Sequence, residues 1–306
     1  MNIQWYPGHM AKTRRDMEAD IKLVDAVCEI ADARIPKSSR NPDLAALSAS
    51  KPRIVVLNRR DLADPNATAE WKKEYEYAGI GSIETDAKTG AGTDAFAGAV
   101  KKLLAEKLEG FREKGMVGRE VKLMVVGVPN VGKSTFINRI AGRAVAKAED
   151  RPGVTRSRQW ITTPEKIDLL DTPGMLWPKF EDRSVAYALA FTGAVRDDIL
   201  DLETLASYLC AVLKEIAPDC LEKRYKLTLR DEPCWETLER IGKTRGFLIS
   251  RGEVDLGRTS RMLLDEFRGG KLGRITLERS HGRSIADIID ASLDGMPAAD
   301  IVGGRR

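Results

Sequence analysis

Met10, Arg14, Met17, Ile21 and Val24 recur at steps of three to four residues, mostly apolar, and predict a short amphipathic helix over residues 10–24. Residues 26–31 form an apolar run that predicts a strand, closed by Asp32-Ala33-Arg34-Ile35-Pro36. Arg53-Ile54-Val55-Val56-Leu57 is a compact β-branched run, the pattern of a strand buried on both faces of a parallel sheet. Helical patterns over 67–78 and 93–109 flank another short strand near 82–85, and the charged stretch 110–119, with its three glycines, reads as a connector. A strand over 121–126 then runs straight into glycine, and a helix over 134–141 and strands over 159–163 and 167–170 follow. Strands alternating with helices predict an α/β fold with a doubly wound, mainly parallel sheet. From 183 to 267 the pattern turns mainly helical, which predicts a second, smaller all-α domain. Beyond Glu278 the chain thins into Gly, Ser, Asp and Arg, with a weak helical signal over 285–293. The expected division is therefore 1–180, 181–278 and a flexible tail over 279–306.

Composition narrows the class. The chain has 306 residues, of which 42% are hydrophobic and 31% charged, so it can bury a core and is too apolar for a disordered chain. No apolar run reaches the ~18 residues of a membrane span. The first dozen residues lack the basic-then-apolar order of a secretory signal. Cys28, Cys210, Cys220 and Cys234 show neither CxxC nor metal-type spacing, and a reducing cytoplasm is the expected setting. Charge is segregated: residues 110–160 hold 11 Lys and Arg against 4 Asp and Glu, and residues 240–279 hold 10 against 5. Such faces fit a polyanionic partner, although basic residues beside a phosphate loop also serve a nucleotide.

The strongest motif is Gly127-Val128-Pro129-Asn130-Val131-Gly132-Lys133-Ser134, the complete G-x-x-x-x-G-K-[ST] pattern between a predicted strand and a predicted helix. Glycine lets backbone N–H groups, including those of Val131, Gly132 and Thr135, close around phosphates at a helix N-terminus. Lys133 is expected to reach the β/γ-phosphates, and the Ser134 hydroxyl to ligate Mg²⁺. Asp171-Thr172-Pro173-Gly174 has the D-x-x-G pattern of a switch, with Asp171 on Mg²⁺ through water and the Gly174 N–H on the γ-phosphate. Thr155, between loop and switch, is the candidate to complete the Mg²⁺ shell. Asn58-Arg59-Arg60-Asp61 is a variant of the N-K-x-D guanine motif, in which a carboxylate at Asp61 accepts both N1–H and the N2 amine. Adenine lacks that donor pair. The alternative is a polar turn that merely ends a strand. Thr85-Asp86-Ala87-Lys88 resembles the loop whose backbone N–H reads guanine O6. Arg59 stands where lysine is usual, and the two are not equivalent.

The order of these motifs is the diagnostic feature. Ras-like GTPases run phosphate loop, switch threonine, D-x-x-G, N-K-x-D and then the O6 loop. Here the last two come first, which predicts a circularly permuted Ras-like P-loop GTPase domain. With the segment Trp5-Tyr6-Pro7-Gly8-His9-Met10-Ala11-Lys12, the Asp32-Ala33-Arg34-Ile35-Pro36 motif, Met175-Leu176-Trp177-Pro178 after the switch, and Gly273-Arg274-Ile275-Thr276-Leu277-Glu278, the chain resembles the bacterial circularly permuted ribosome-assembly GTPases over residues 3 to about 278. That resemblance implies GTP hydrolysis late in maturation of the large ribosomal subunit, slow alone and stimulated by the particle, with the helical domain on ribosomal RNA. It assigns no role to the tail. Only about ten residues then separate the switch from the helical domain, so ordering the switch would reposition that domain.

Met175 occupies the position where Ras-like enzymes carry a glutamine that orients water. The resemblance points to His9 instead, on a bent segment after Pro7 and Gly8; capping the helix or touching RNA are its other readings. In similar GTPases an asparagine at the place of Asn130 ligates K⁺, against the plainer reading of a side chain that braces the loop. Arg34 and Lys37 are expected to be solvated, and Trp160 and Trp177 to pack. Arg240, Lys243, Arg245, Arg251, Arg258, Arg261 and Arg268 are candidate phosphate contacts. Two functions remain open, a ribosome-stimulated GTPase and an RNA-binding scaffold with GTP as a conformational ligand; an ATP-dependent enzyme fits Asn58 and Asp61 poorly. A monomer fits the sequence.

Overall fold

The computed structural model describes residues 7–116, 118–146, 159–174 and 181–293, with side chains from residue 15 onward. The chain divides near residue 180 into two compact units. No helix among the described residues is long and apolar enough to cross a membrane.

The first unit is built on six strands: β1 (Ala26–Asp32), β2 (Arg53–Asn58), β3 (Gly81–Glu84), β4 (Val121–Val126), β5 (Gln159–Thr162) and β6 (Ile167–Asp171). They lie in the order β3-β2-β1-β4-β6-β5, all parallel except β5, which pairs antiparallel with β6 at the edge. Every residue of β1 is buried because the strand is central and covered on both faces. The helices of this unit are α1 (Pro7–Leu23), α2 (Pro42–Leu47), α3 (Pro65–Tyr77), α4 (Ala95–Leu103), α5 (Ala105–Glu113) and α6 (Lys133–Ala141). On one face Met17 and Ile21 of α1 and Leu44 of α2 pack on Val27, Met124, Val126 and Leu170. Tyr75 of α3 covers Ala31, Val55 and Leu57 on its neighbours. Phe96 of α4 and Phe136 of α6 meet edge to face, ring centroids 5.2 Å apart.

Two expectations change here. The single helix over 93–109 is two, broken at Leu104 (φ −106°, ψ 16°), whose side chain is buried. The connector expected over 110–119 begins later, because α5 continues to Glu113.

The second unit is all-helical: α7 (Arg183–Phe191), α8 (Leu202–Ile216), α9 (Pro218–Tyr225), α10 (Cys234–Thr244), α11 (Leu256–Arg268) and α12 (Ile285–Ala291). The run Leu205–Leu213 makes α8 its buried centre, with the other five helices against it or against one another. The segment beyond Glu278, expected to be a flexible tail, includes α12. Ser284 caps it, accepting from Asp287 N, and Ile285, Ile288 and Ile289 are buried on α7 and α8. Apolar positions at i, i+3 and i+4 were enough to dock a helix in a stretch whose composition resembles a loop.

Candidate nucleotide site

Parallel α/β sheets bind ligands beyond the carboxyl ends of their strands, at the point where connections diverge. Here that point lies between β1 and β4. The phosphate loop leaves β4 and closes at Gly132, whose φ of 88° belongs to the left-handed region. A Cβ there would stand 2.4 Å from Asn58 Nδ2, so this position needs glycine for both its backbone and its space. Lys133 follows as the first residue of α6, buried, its ammonium paired with Asp171 Oδ1 at the end of β6. Burial pushes that ammonium below the ordinary lysine value, and the Asp171 carboxylate opposes the shift. Thr172 donates to Val125 O at 2.8 Å, fastening the switch motif to β4. Gly174 sits against the loop, where an added Cβ would lie 3.3 Å from Pro129 N.

Asp171 Oδ2 is buried with no hydrogen-bond partner among the described residues. An orphaned carboxylate oxygen is costly to bury. A hydrated divalent cation between Asp171 and the Ser134 hydroxyl would satisfy it, so the donor set fits Mg²⁺.

The base side is assembled by Asn58, last residue of β2 and 2% exposed. Its Nδ2 donates to Val131 O at 2.7 Å. Its Oδ1 accepts from Ala87 N at 3.0 Å and from Thr85 Oγ1 at 3.2 Å. One amide thus ties the phosphate loop, β2 and the 85–88 loop together. Arg59 (φ 60°) turns back and donates from Nη2 to Asn130 O at 2.6 Å. Asp61 is exposed, with no ion pair among the described residues. Lys88 N donates to Asp86 Oδ1 at 2.9 Å, while Arg139 of α6 donates to the carbonyls of Ala87 (3.3 Å) and Lys88 (2.5 Å).

A family model described as "50S ribosome-binding GTPase" matches residues 122–233. Ribosome biogenesis GTPase A of Priestia megaterium is 46% identical over 279 residues, covering 91% of this chain and 97% of its own. The chain belongs to the ribosome biogenesis GTPase A family. The Bacillus cereus member is 44% identical over 94% of this chain and 98% of its own, and mitochondrial ribosome-associated GTPase 1 of Mus musculus is 33% identical over 90% of each. The crystal structure of GNP-bound YlqF from T. maritima aligns with a TM-score of 0.60 at 26% identity, over 88% of this chain and 98% of that one. The family makes this chain a circularly permuted P-loop GTPase of ribosome assembly, with GTP as substrate, Mg²⁺ as its usual ion and a ribosomal particle as partner.

Within this family fold most of the expected residues gather at one end of the sheet, and the rest lie outside the description. Asn58 and Asp171 end β2 and β6, Lys133, Ser134 and Thr135 open α6, and Arg59, Asp61, Ala87, Lys88, Asn130, Val131, Gly132 and Gly174 lie on the loops beyond the strand ends. Thr155, Met175 and Trp177 lie outside the described residues, and His9 falls in the first turn of α1 with its side chain outside the description. The Ala87 and Lys88 N–H groups, expected to face guanine O6, are engaged by Asn58 and Asp86. Several other expectations are corrected. Arg34 is not solvated but 1% exposed, clasped to Asp32, whereas Lys37 is exposed. Trp160 is 44% exposed, with the Lys122 ammonium 5.3 Å from its ring centroid, because β5 is an edge strand that no described residue covers on that side. Of the helical unit's candidate phosphate contacts, Arg240, Lys243, Arg245 and Arg268 are paired with Glu232, Glu239, Glu266 and Asp197. Arg251, Arg258 and Arg261 are exposed and have no ion pair among the described residues. Asp32 and Arg139 went unread as site residues. Asp32 stands at a strand end beside a motif, which is a readable signal; the reach of Arg139 across 51 residues is not.

Proposed function

We propose that this chain binds an immature large ribosomal subunit in the cytoplasm, hydrolyses GTP there at a rate the particle stimulates, and so times a late step of maturation. The observation that carries the reading is the meeting of the phosphate loop, the Asp171 switch and the Asn58 loop at one end of the sheet. In this reading Lys133 takes the β/γ-phosphates, the backbone from Val131 to Thr135 surrounds them, and the Gly174 N–H meets the γ-phosphate. Ser134, Thr155 and, through water, Asp171 would hold Mg²⁺, which would supply positive charge to the phosphates. Asp61 accepts from guanine N1 and N2, the Arg59 stem packs on the base, and the Ala87 and Lys88 N–H groups leave Asn58 and Asp86 to meet O6 when the base binds. Asn130 would hold K⁺, which would supply the positive charge that other GTPases take from an arginine.

Met175 carries no group able to orient water, and His9 takes that part once the particle has bound. The helical unit meets ribosomal RNA through Arg251, Arg258 and Arg261, which are exposed and have no ion pair among the described residues, Arg258 lying over the Phe247 ring. Because the switch lies a few residues before that unit, its ordering by γ-phosphate sets how the unit is presented. Met175 also supports a second reading, an RNA-binding scaffold that uses GTP without turning it over.

Single-turnover GTP hydrolysis in K⁺ buffer, with and without purified large subunits, separates the two. Stimulation in the wild type that His9→Ala loses while still binding subunits supports the enzyme. Tight binding without stimulation supports the scaffold.

A further inference from the structure

Asp32-Ala33-Arg34 has so far been given no part in the site, although it ends the strand next to the phosphate loop. Asp32 is the last residue of β1, opposite Asn58 of β2, and its N–H donates to Ser39 Oγ at 2.9 Å. Arg34 folds back on it. The guanidinium donates from Nε to Oδ1 at 3.0 Å and from Nη2 to Oδ2 at 2.7 Å, and the Arg34 N–H adds a third bond to Oδ1 at 2.9 Å. Both side chains are all but sealed from water, 1% and 3% exposed. A two-pronged pair of this kind fixes the carboxylate in direction as well as place.

The carboxylate it fixes faces Arg59. Arg59 Nε lies 3.9 Å from Asp32 Oδ2, while Nη2 of the same guanidinium donates to Asn130 O. A lysine ammonium is a point charge on a flexible stem, whereas the guanidinium is a planar fork whose two sides engage different partners. The residue that departs from the usual guanine motif is therefore matched to an acid on the neighbouring strand. Burial alone would raise the Asp32 carboxyl, but Arg34, with Arg59 beyond it, holds it below the usual range, so the carboxylate is charged where Arg59 needs it.

We infer that Asp32 and Arg34 are positioning residues for nucleotide retention: Arg34 fixes the Asp32 carboxylate, Asp32 holds one side of Arg59, and the other side of Arg59 clamps the phosphate loop at Asn130. Without Asp32 the guanidinium loses the charge on its Nε side, and the brace on the loop weakens at a residue kept in the left-handed region, Asn130 (φ 63°). The inference rests on the reading that this loop and the Asn58–Asp61 segment hold a guanine nucleotide.

The test is the dissociation rate of a fluorescent GDP, chased with unlabelled GDP, from the full chain. Wild type, Asp32→Asn, Arg59→Gln and the double variant complete a thermodynamic cycle, with melting temperatures as the control for folding. Each single change should speed release about tenfold, and the double change about tenfold rather than a hundredfold, because both cut one path. Arg59→Lys, reaching one partner at a time, should fall between wild type and Arg59→Gln. Should Asp32→Asn not fold, Asp32→Glu, which displaces the charge, carries the same cycle. An unchanged rate in the Asp32 variant, or rates that multiply, overturns the relay while GDP binding stands. A wild type that prefers the adenine nucleotide overturns the guanine reading and the relay with it.

Discussion

Asn58 and Asp61 sit three positions apart in one motif, yet the structure gives them opposite burdens. Asn58 is buried and spends its amide on Val131, Ala87 and Thr85, so Asn58→Ala orphans a carbonyl and an N–H inside the protein. Each orphan costs ~1–3 kcal/mol, and melting should fall by several degrees with or without GTP. Asp61 is exposed with no ion pair among the described residues, so Asp61→Ala should leave the nucleotide-free stability within about 0.5 kcal/mol of the wild type. The GTP-dependent rise in melting should nonetheless vanish in that variant if, as proposed, this carboxylate accepts from guanine. Thermal denaturation with and without Mg²⁺ and GTP reads both; a destabilised Asp61 variant would assign that residue to the fold instead. The phosphate loop was legible at this scale because its requirements are local, a glycine turn and a lysine at a helix start. The burial of Arg34 was not, since an arginine two residues past a strand looks solvated until the carboxylate it clasps is seen to be sealed.

At the scale of elements, α12 shows where composition misleads. Glycine, serine and charge dominate residues 279–293, and only the spacing of three isoleucines marks a face. The helix is held by burying them, while its charged contacts lie outside: Arg183 grips Asp290 at 2.8 and 3.0 Å, and Arg283 grips Glu215 at 2.9 Å, all four side chains substantially exposed. Ile289, fully buried, should cost ~2–5 kcal/mol as Ile289→Ala, in line with buried isoleucine truncations. Arg183→Ala should cost under about 1 kcal/mol, since exposed ion pairs contribute little. Urea denaturation of the two variants checks the ranking, and the reverse order would mean that α12 is held by charge. The break at Leu104 was hidden for the opposite reason: α4 and α5 keep a continuous helical pattern across it, and the residue where the backbone departs is a buried leucine with no breaker signal of its own.

For the molecule as a whole, the permutation was legible in motif order and the sheet explains how it is tolerated. The base-side strands β1 to β3 and the phosphate-side strands β4 to β6 are separate blocks of sequence, yet β1 and β4 lie side by side at the centre, so both blocks meet at the site. What sequence alone could not sort was the basic surface of the helical unit, because pairing joins residues far apart, as Arg268 does with Asp197 across 71 positions. The structure leaves Arg251, Arg258 and Arg261 around the reversal between α10 and α11, where Leu248 bridges Val254 and residues 248–253 are exposed. Arg251 holds a φ of 70° at the tip, a conformation that costs a non-glycine residue ~1–2 kcal/mol and so suggests a use. If these three arginines meet RNA phosphates, replacing all three with glutamine should weaken binding to ribosomal particles and flatten its salt dependence by about 0.7–0.9 per lost contact on a logarithmic plot. Intrinsic single-turnover hydrolysis should be unchanged, since the nucleotide loops lie in the other unit. Arg268→Gln is the informative control: its guanidinium is committed to Asp197 and to the carbonyls of Ala190 and Phe191, so it should lower stability while leaving the salt slope alone. A triple variant that keeps the wild-type slope would move the RNA contact away from this reversal and return the three arginines to solvated surface.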